Sequence, residues 1–381
     1  MRTLLALLLL IAFPAAAGAA LPSEFSTDPA DRAAWRGLSG TYRLDATFTV
    51  RALSTIDGDI PLSGRSVTVA GTAFGAAPGG FVATADHLVG GESTTLAVAA
   101  LRGDQATLSR LGIDDVETWV TANAARPIGV ERISIVLRQV GAPGDAGGER
   151  AALVERDKLS DLALLRLAGI PEAPALPLKD DRSVGTPVVA IGFGEARDEA
   201  EPTVPGVQRG EIATSGTLEG KGDRVFTQSS IPVSRGDSGG PVLDHDGQVR
   251  GMLISGAEVG SNMVPALAIE KLVGRARVTQ SSPVQENYLA GLRRFWQLDF
   301  LAAEQSFATA LGIYPGHALS GRFAERSREL QRAPVSLQGS DALSGFLRML
   351  GLISAIVSLA LAAALVRHDM SRRAFTHPLG S

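Results

Sequence analysis

The stretch RGDSGGPVLD, residues 235–244, sets one serine among three glycines, behind an acid and ahead of a proline. Glycine gives up conformational entropy and side-chain packing, so such a cluster marks backbone that must come close to something. Ser238 is its candidate nucleophile. Gly236 can take the backbone shape that turns its own N–H and that of Ser238 toward one point, which would serve the oxyanion of a tetrahedral intermediate. Acyl transfer by serine also needs a base for the hydroxyl proton and an acid to orient that base. His87, in GGFVATADHLV, stands where an apolar run gives way to a polar step, and it is the candidate base. In DKLSDLALLRL, Asp161 directly precedes an apolar run and can be buried at a strand start, whereas Asp157 fits the turn. Asp161 is therefore the candidate orienting acid.

The elements that must hold these side chains are short strands. From Thr41 the run TYRLDATFTVRAL alternates apolar and polar residues. RSVTVAGTAF, RISIVLRQV, RAALVER, DLALLRL, TPVVAIGFG and GQVRGMLIS follow, broken by Gly and Pro. Strands at this spacing predict antiparallel barrels or a sandwich, and no alternation of strand with helix supports a parallel sheet. The pattern changes after about Arg275. VTQSSPVQ reads as a linker; Leu289, Leu292, Phe295 and Trp296 then recur at helical spacing, and a second helix is predicted over 301–313. Gly291, Ala303, Phe307, Ala310 and Pro315 make this segment resemble one tetratricopeptide repeat, although Asn287 and Arg294 stand where that pattern has Trp and Tyr. A single repeat buries its faces poorly, so two readings stay open: a protein-binding unit, or a helical hairpin packed on the preceding domain.

The order His87, Asp161, Ser238, within TAFGAAPGGFVATADHLV, ERDKLSDLALLRL and RGDSGGPVLD, resembles the trypsin-like serine proteases of chymotrypsin fold, most of all their bacterial HtrA (Deg) branch. The resemblance covers about residues 41–275. It implies an all-β domain of two antiparallel Greek-key barrels with His87, Asp161 and Ser238 as a triad in the cleft, and Gly236 and Ser238 N–H groups as the oxyanion hole. Three features depart from the branch. His87 and Asp161 are 74 residues apart, with extra material near 91–132 that is either a cleft-side loop restricting substrates or a surface insertion. Helices stand where a PDZ domain usually follows. Asp237 precedes the serine where Asn is usual, and it calls for a cation such as Arg235, or else stays unpaired and disfavours a formed oxyanion hole.

Pro232 lies six residues before Ser238, at the position that is acidic in enzymes cutting after Lys or Arg. With Val233, Ile254, Ser255 and Gly256 it predicts a small apolar pocket and cleavage after Val, Ala, Ile or Leu. Asp244, His245 and Asp246 read as turn residues of a polar hairpin.

Composition narrows the class. The chain has 381 residues, 45% hydrophobic and 20% charged, with a net charge of −4 and a pI near 5.8, so it carries no basic footprint for nucleic acid. It has no Cys, and its five His are scattered, so neither a metal site nor a cofactor is expected. Residues 1–19 read as a signal peptide, with Arg2, an apolar run from Leu4 to Phe13 and an A-x-A end at Ala19. MLGLISAIVSLALAAALV, 349–366, carries no charge, and at about 1.5 Å per residue it nearly spans a bilayer. Arg367, Arg372 and Arg373 outnumber Arg348 and place the tail inside. The predicted layout is signal 1–19, N-terminal segment 20–40, protease 41–275, helical unit 284–331, linker 332–345, transmembrane helix 346–367 and cytoplasmic tail 368–381. The expectation is a serine endopeptidase acting on polypeptides, anchored in the cell membrane with its protease domain periplasmic or extracellular, in envelope quality control or regulatory processing. A protein partner on the helical unit is compatible with it. The alternative is a catalytically silent scaffold that binds partners through the cleft and the helices.

Overall fold

Helix α1 (Pro29–Leu38) starts where its sequence says it should. The Asp28 carboxylate accepts the Ala30 N–H at 2.8 Å, and Pro29 sits at the first helical position. In this computed structural model the described residues are 21–64, 66–141, 148–194, 204–217, 225–256, 260–276 and 282–332. The predicted signal peptide, transmembrane helix and tail lie outside them. Among the described residues no helix is long and apolar enough to cross a membrane.

After α1 come β1 (Thr41–Thr49), the hairpin β2 (Ala52–Thr55) and β3 (Gly58–Pro61), β4 (Ser66–Ala77) and β5 (Phe81–Ala85). The single run expected from Thr41 breaks after Thr49, because β2 leaves the barrel to join a small three-stranded sheet. A four-residue helix α2 (Asp86–Val89) follows β5 directly. The extra segment then forms α3 (Thr94–Arg102), α4 (Gln105–Leu111), α5 (Val116–Ala122) and β6 (Arg126–Ile128), which completes the small sheet in the order β3-β2-β6. Strands β7 (Glu131–Gln139), β8 (Glu149–Asp157) and β9 (Leu162–Leu167) close the first barrel in the order β1-β4-β5-β9-β8-β7.

The second barrel is β10 (Pro187–Gly192), β11 (Gly206–Thr217), β12 (Val225–Ser229), β13 (Pro241–Asp244), β14 (Val249–Gly256) and β15 (Ser261–Pro265), closed in the order β10-β11-β12-β15-β14-β13. Val188, Ala190, Ile212, Ile231, Val242, Leu253 and Met263 fill it. Its strands pair antiparallel, as do those of the first barrel, so every wall strand has two partners and no open edge is left.

Four helices follow: α6 (Ala266–Arg275), α7 (Pro283–Trp296), α8 (Phe300–Ile313) and α9 (Ala318–Arg332). Gly291 of α7 lies under the Phe307 ring of α8. The contacts pack this helical unit on the barrels, with α1 as the joint. The Tyr288 hydroxyl donates to Trp35 O at 3.0 Å, Gln285 Nε2 donates to Arg36 O at 3.0 Å, and Phe323 meets Trp35 edge-on with centroids 5.1 Å apart. The opposite face of α1 meets the second barrel through Ala33, Ala34 and Val189. The N-terminal segment, given no role by its sequence, is thus the shared core of barrel and helices.

Candidate active site

His87 is aimed by its neighbours before any ligand arrives. Strand β5 is buried along most of its length and ends at Ala85, so α2 begins at the barrel rim. Asp86 is buried and takes Arg156 of β8 in a two-pronged pair, Nε to Oδ1 at 2.5 Å and a terminal nitrogen to Oδ2 at 2.9 Å. Such a fork fixes direction as well as charge, and it pins the helix that carries the imidazole. The sequence offered a signal for it: an acid at the end of an apolar strand needs a cation.

Asp161 stands across from His87. Its Oδ1 accepts the His87 backbone N–H at 2.9 Å, and its Oδ2 lies 2.8 Å from His87 Nδ1. An ionised carboxylate only accepts, so a neutral imidazole in this pair would carry its proton on Nδ1 and present Nε2 as the acceptor. Asp161 has φ 53°, a left-handed turn that Asp tolerates, and its carbonyl accepts the Asp86 N–H at 3.1 Å. The expectation of a buried acid needs correction: the Asp161 side chain is 27% exposed, because it stands in the turn before β9 and not inside the barrel. Asp157 caps the turn, as its position implied, accepting from Leu159 N and Ser160 N.

Two residues before Ser238, Gly236 has φ 87°, a conformation that a Cβ would strain. Along 236–240 the amides of Asp237, Gly239 and Gly240 donate to Ser234 O, Leu253 O and Asp237 O at 3.2, 2.7 and 2.9 Å. Among the described residues those of Gly236 and Ser238 meet no protein acceptor. Two unengaged amides flanking one hydroxyl are what an incoming oxyanion requires. The Ser238 hydroxyl donates to Ile254 O at 3.1 Å, and no hydrogen bond joins it to His87 among the described residues.

Thr72 of β4, which sequence reasoning missed, ties this loop to the first barrel. Its N–H donates to Ser238 O at 2.9 Å, its hydroxyl donates to Gly236 O at 2.7 Å, and that hydroxyl also accepts the Phe193 N–H at 3.0 Å. Thr84, three residues before His87, donates to Thr72 O at 2.7 Å. The strand that delivers the imidazole and the loop that delivers the hydroxyl therefore share one residue.

Asp237 is buried, and among the described residues no cation pairs with it. Gly194 N–H, Ser234 N–H and Gln208 Nε2 reach its carboxylate at 3.1, 2.8 and 3.0 Å. Arg235, the cation named for this role, pairs with Glu117 of α5 instead. Burial raises the Asp237 pKa and these neutral donors oppose it only in part. A native pKa above the unfolded value means that this group favours folding below the unfolded value, and that the contribution is lost as pH rises through the raised one. Asp237→Asn is therefore expected to gain stability relative to the parent as pH rises above about 4, the carboxylate reference range. Urea unfolding across that range measures it, and parallel profiles for the two proteins would refute it.

The residues expected to line a pocket are dispersed in burial. Pro232 is exposed, Val233 packs against the second-barrel core, Ile254 is buried with its carbonyl on Ser238, and Gly256 is exposed. The Ser255 side chain lies outside the described residues. Asp244 pairs with Arg250 and accepts from Asp246 N and Gln248 N, so the 244–246 hairpin is a structural turn.

Residues 71–252, which contain His87, Asp161 and Ser238, match the family model of the trypsin-like peptidase domain. No curated protein matches the chain. Among solved structures, it is similar to the serine endoprotease from Yersinia pestis, at 17% identity and TM-score 0.40, with 65% of each chain covered. It is also similar to the Rv3671c protease from M. tuberculosis in its active form, at 17% identity and TM-score 0.42, with 65% of this chain and 86% of that one covered. The HtrA-type protease AlgW with tripeptide matches at 17% identity and TM-score 0.41, with 64% and 62% covered. The chain thus spans 65% of the length of the Yersinia protein. Residues 71–252, which run across strands of both closed six-stranded barrels, are thus similar to the trypsin-like peptidase domain.

Proposed function

We propose that the protein is a serine endopeptidase of HtrA type in which Ser238 is the nucleophile, His87 the general base and then acid, and Asp161 the orienting carboxylate. The observation that carries this is the pair of unengaged amides at Gly236 and Ser238, in a loop that Thr72 of β4 ties to the strand ending beside His87. Rotation about the Cα–Cβ bond of Ser238 releases the hydroxyl from Ile254 O. His87 Nε2 takes its proton as the oxygen attacks the scissile carbonyl. The resulting oxyanion accepts from Gly236 N–H and Ser238 N–H, while Asp161 holds Nδ1–H and stabilises the imidazolium. The imidazolium then protonates the leaving amine, and water, deprotonated by His87, hydrolyses the acyl-enzyme.

Val233 and Ile254 favour small aliphatic residues at the cleavage site, and no acid stands at Pro232 to attract Lys or Arg. The apolar segments at 1–19 and 346–367 support a secreted domain tethered to the membrane, facing envelope proteins for quality control or regulatory processing. A fluorophosphonate is expected to label the protein once, at Ser238, as read by peptide mass mapping, and a peptide library to show cuts after Val, Ala, Ile or Leu. No labelling under conditions where the protein is folded would favour a silent scaffold instead.

A further inference from the structure

Segment 91–132 touches all three segments that carry the proposed triad. Glu92, at its start, accepts Lys158 Nζ on both oxygens at 2.9 and 2.7 Å, and Lys158 lies in the turn that presents Asp161. Helix α3 packs on α2, which carries His87. On α5, Glu117 pairs with Arg235 near the nucleophile, and Arg102 of α3 pairs with the same Glu117 oxygen. Asp115 fixes Glu117 in the first turn of α5, because its Oδ1 accepts the N–H of Glu117 and of Thr118 at 3.1 Å each.

The Arg235–Gly236 peptide carries one of the two unengaged amides. The following peptides of the loop are held by backbone partners or by Thr72. The Arg235 side chain is the handle on this one. An ion pair with both partners more than a third exposed does little for global stability, but it fixes where a stem can go. We infer that Glu117 is a positioning residue that, through Arg235, aims the Gly236 N–H at the oxyanion, so that the extra segment completes the site instead of merely decorating the surface. This rests on the proposed mechanism.

In the full-length protein Glu117→Ala is expected to lower kcat on a Val- or Ala-directed peptide by about tenfold, with KM within about twofold, as for an oxyanion donor moved but not removed. Glu117→Gln, which still accepts from Arg235, should recover most of kcat. Hydrogen exchange read by mass spectrometry should rise about threefold or more over 234–240 in Glu117→Ala, where Asp237, Gly239 and Gly240 amides report the hold, and stay unchanged in β1. Unchanged kcat and unchanged exchange would overturn the inference, as would a matching change in β1, which would signal general destabilisation. If the parent neither turns over peptide nor labels at Ser238, the enzymatic reading fails, and the exchange comparison still decides whether Glu117 holds the loop.

Discussion

Ser238→Ala is expected to lose peptide hydrolysis by about a millionfold, the scale seen when a nucleophile acting with its base is removed. Its fold should survive, because among the described residues the hydroxyl makes one bond, to Ile254 O at 3.1 Å, whose loss costs about 1 kcal/mol. The loop is held by other atoms: Ser238 O accepts the Thr72 N–H, and Gly236 O accepts the Thr72 hydroxyl. The variant therefore keeps both unengaged amides and the His87–Asp161 pair, and should still bind the polypeptides it no longer cuts. Turnover and urea unfolding measured on the same preparation test this. Residual hydrolysis above a tenth of the parent's would move the nucleophile elsewhere, and a large stability loss would make the effect one of folding.

The candidate site residues were legible because they stand in contiguous local patterns. A glycine cluster around Ser238, a strand ending at His87 and an acid heading a strand each state a local need. What supports them was not legible, since the partners are distant: Thr72 reaches Gly236 across 164 residues, and Arg156 reaches Asp86 across 70. Asp237 shows the limit of charge logic. A buried acid demanded a cation on sequence grounds, but two backbone amides and Gln208 satisfy it, and backbone donors leave no trace in residue type. Helix α9 escaped notice because its buried face mixes Phe323 and Leu319 with Ser320 and Ser327, which blurs the apolar period. The role of α1 could not be read because its apolar stripe is matched on one side by β10 and on the other by helices that begin some 250 residues later.

Gly239→Ala is expected to be among the most damaging single methyls in the domain. Gly239 has φ 87°, so any L side chain there strains the backbone. The added Cβ would also be driven into the Thr72 carbonyl oxygen and would stand 2.6 Å from Thr84 Oγ1. Neither neighbour can yield cheaply. Thr72 O accepts the Thr84 hydroxyl at 2.7 Å within the closed first barrel, and Gly239 N–H is held by Leu253 O at 2.7 Å in the second. The strain must go into the contact between the barrels, at a cost of about 3–4 kcal/mol for overpacking plus the left-handed backbone. Activity should fall by more than about a hundredfold, since a shift of the order of 1 Å misplaces the hydroxyl and the amides of the nucleophile loop. Gly274→Ala on α6 is the control, because a Cβ there meets nothing within 4 Å and the helix should gain up to about 1 kcal/mol. If Gly239→Ala were as stable and active as Gly274→Ala, the close approach of nucleophile loop to β4 would be wrong, and with it the route by which Ser238 is brought to His87.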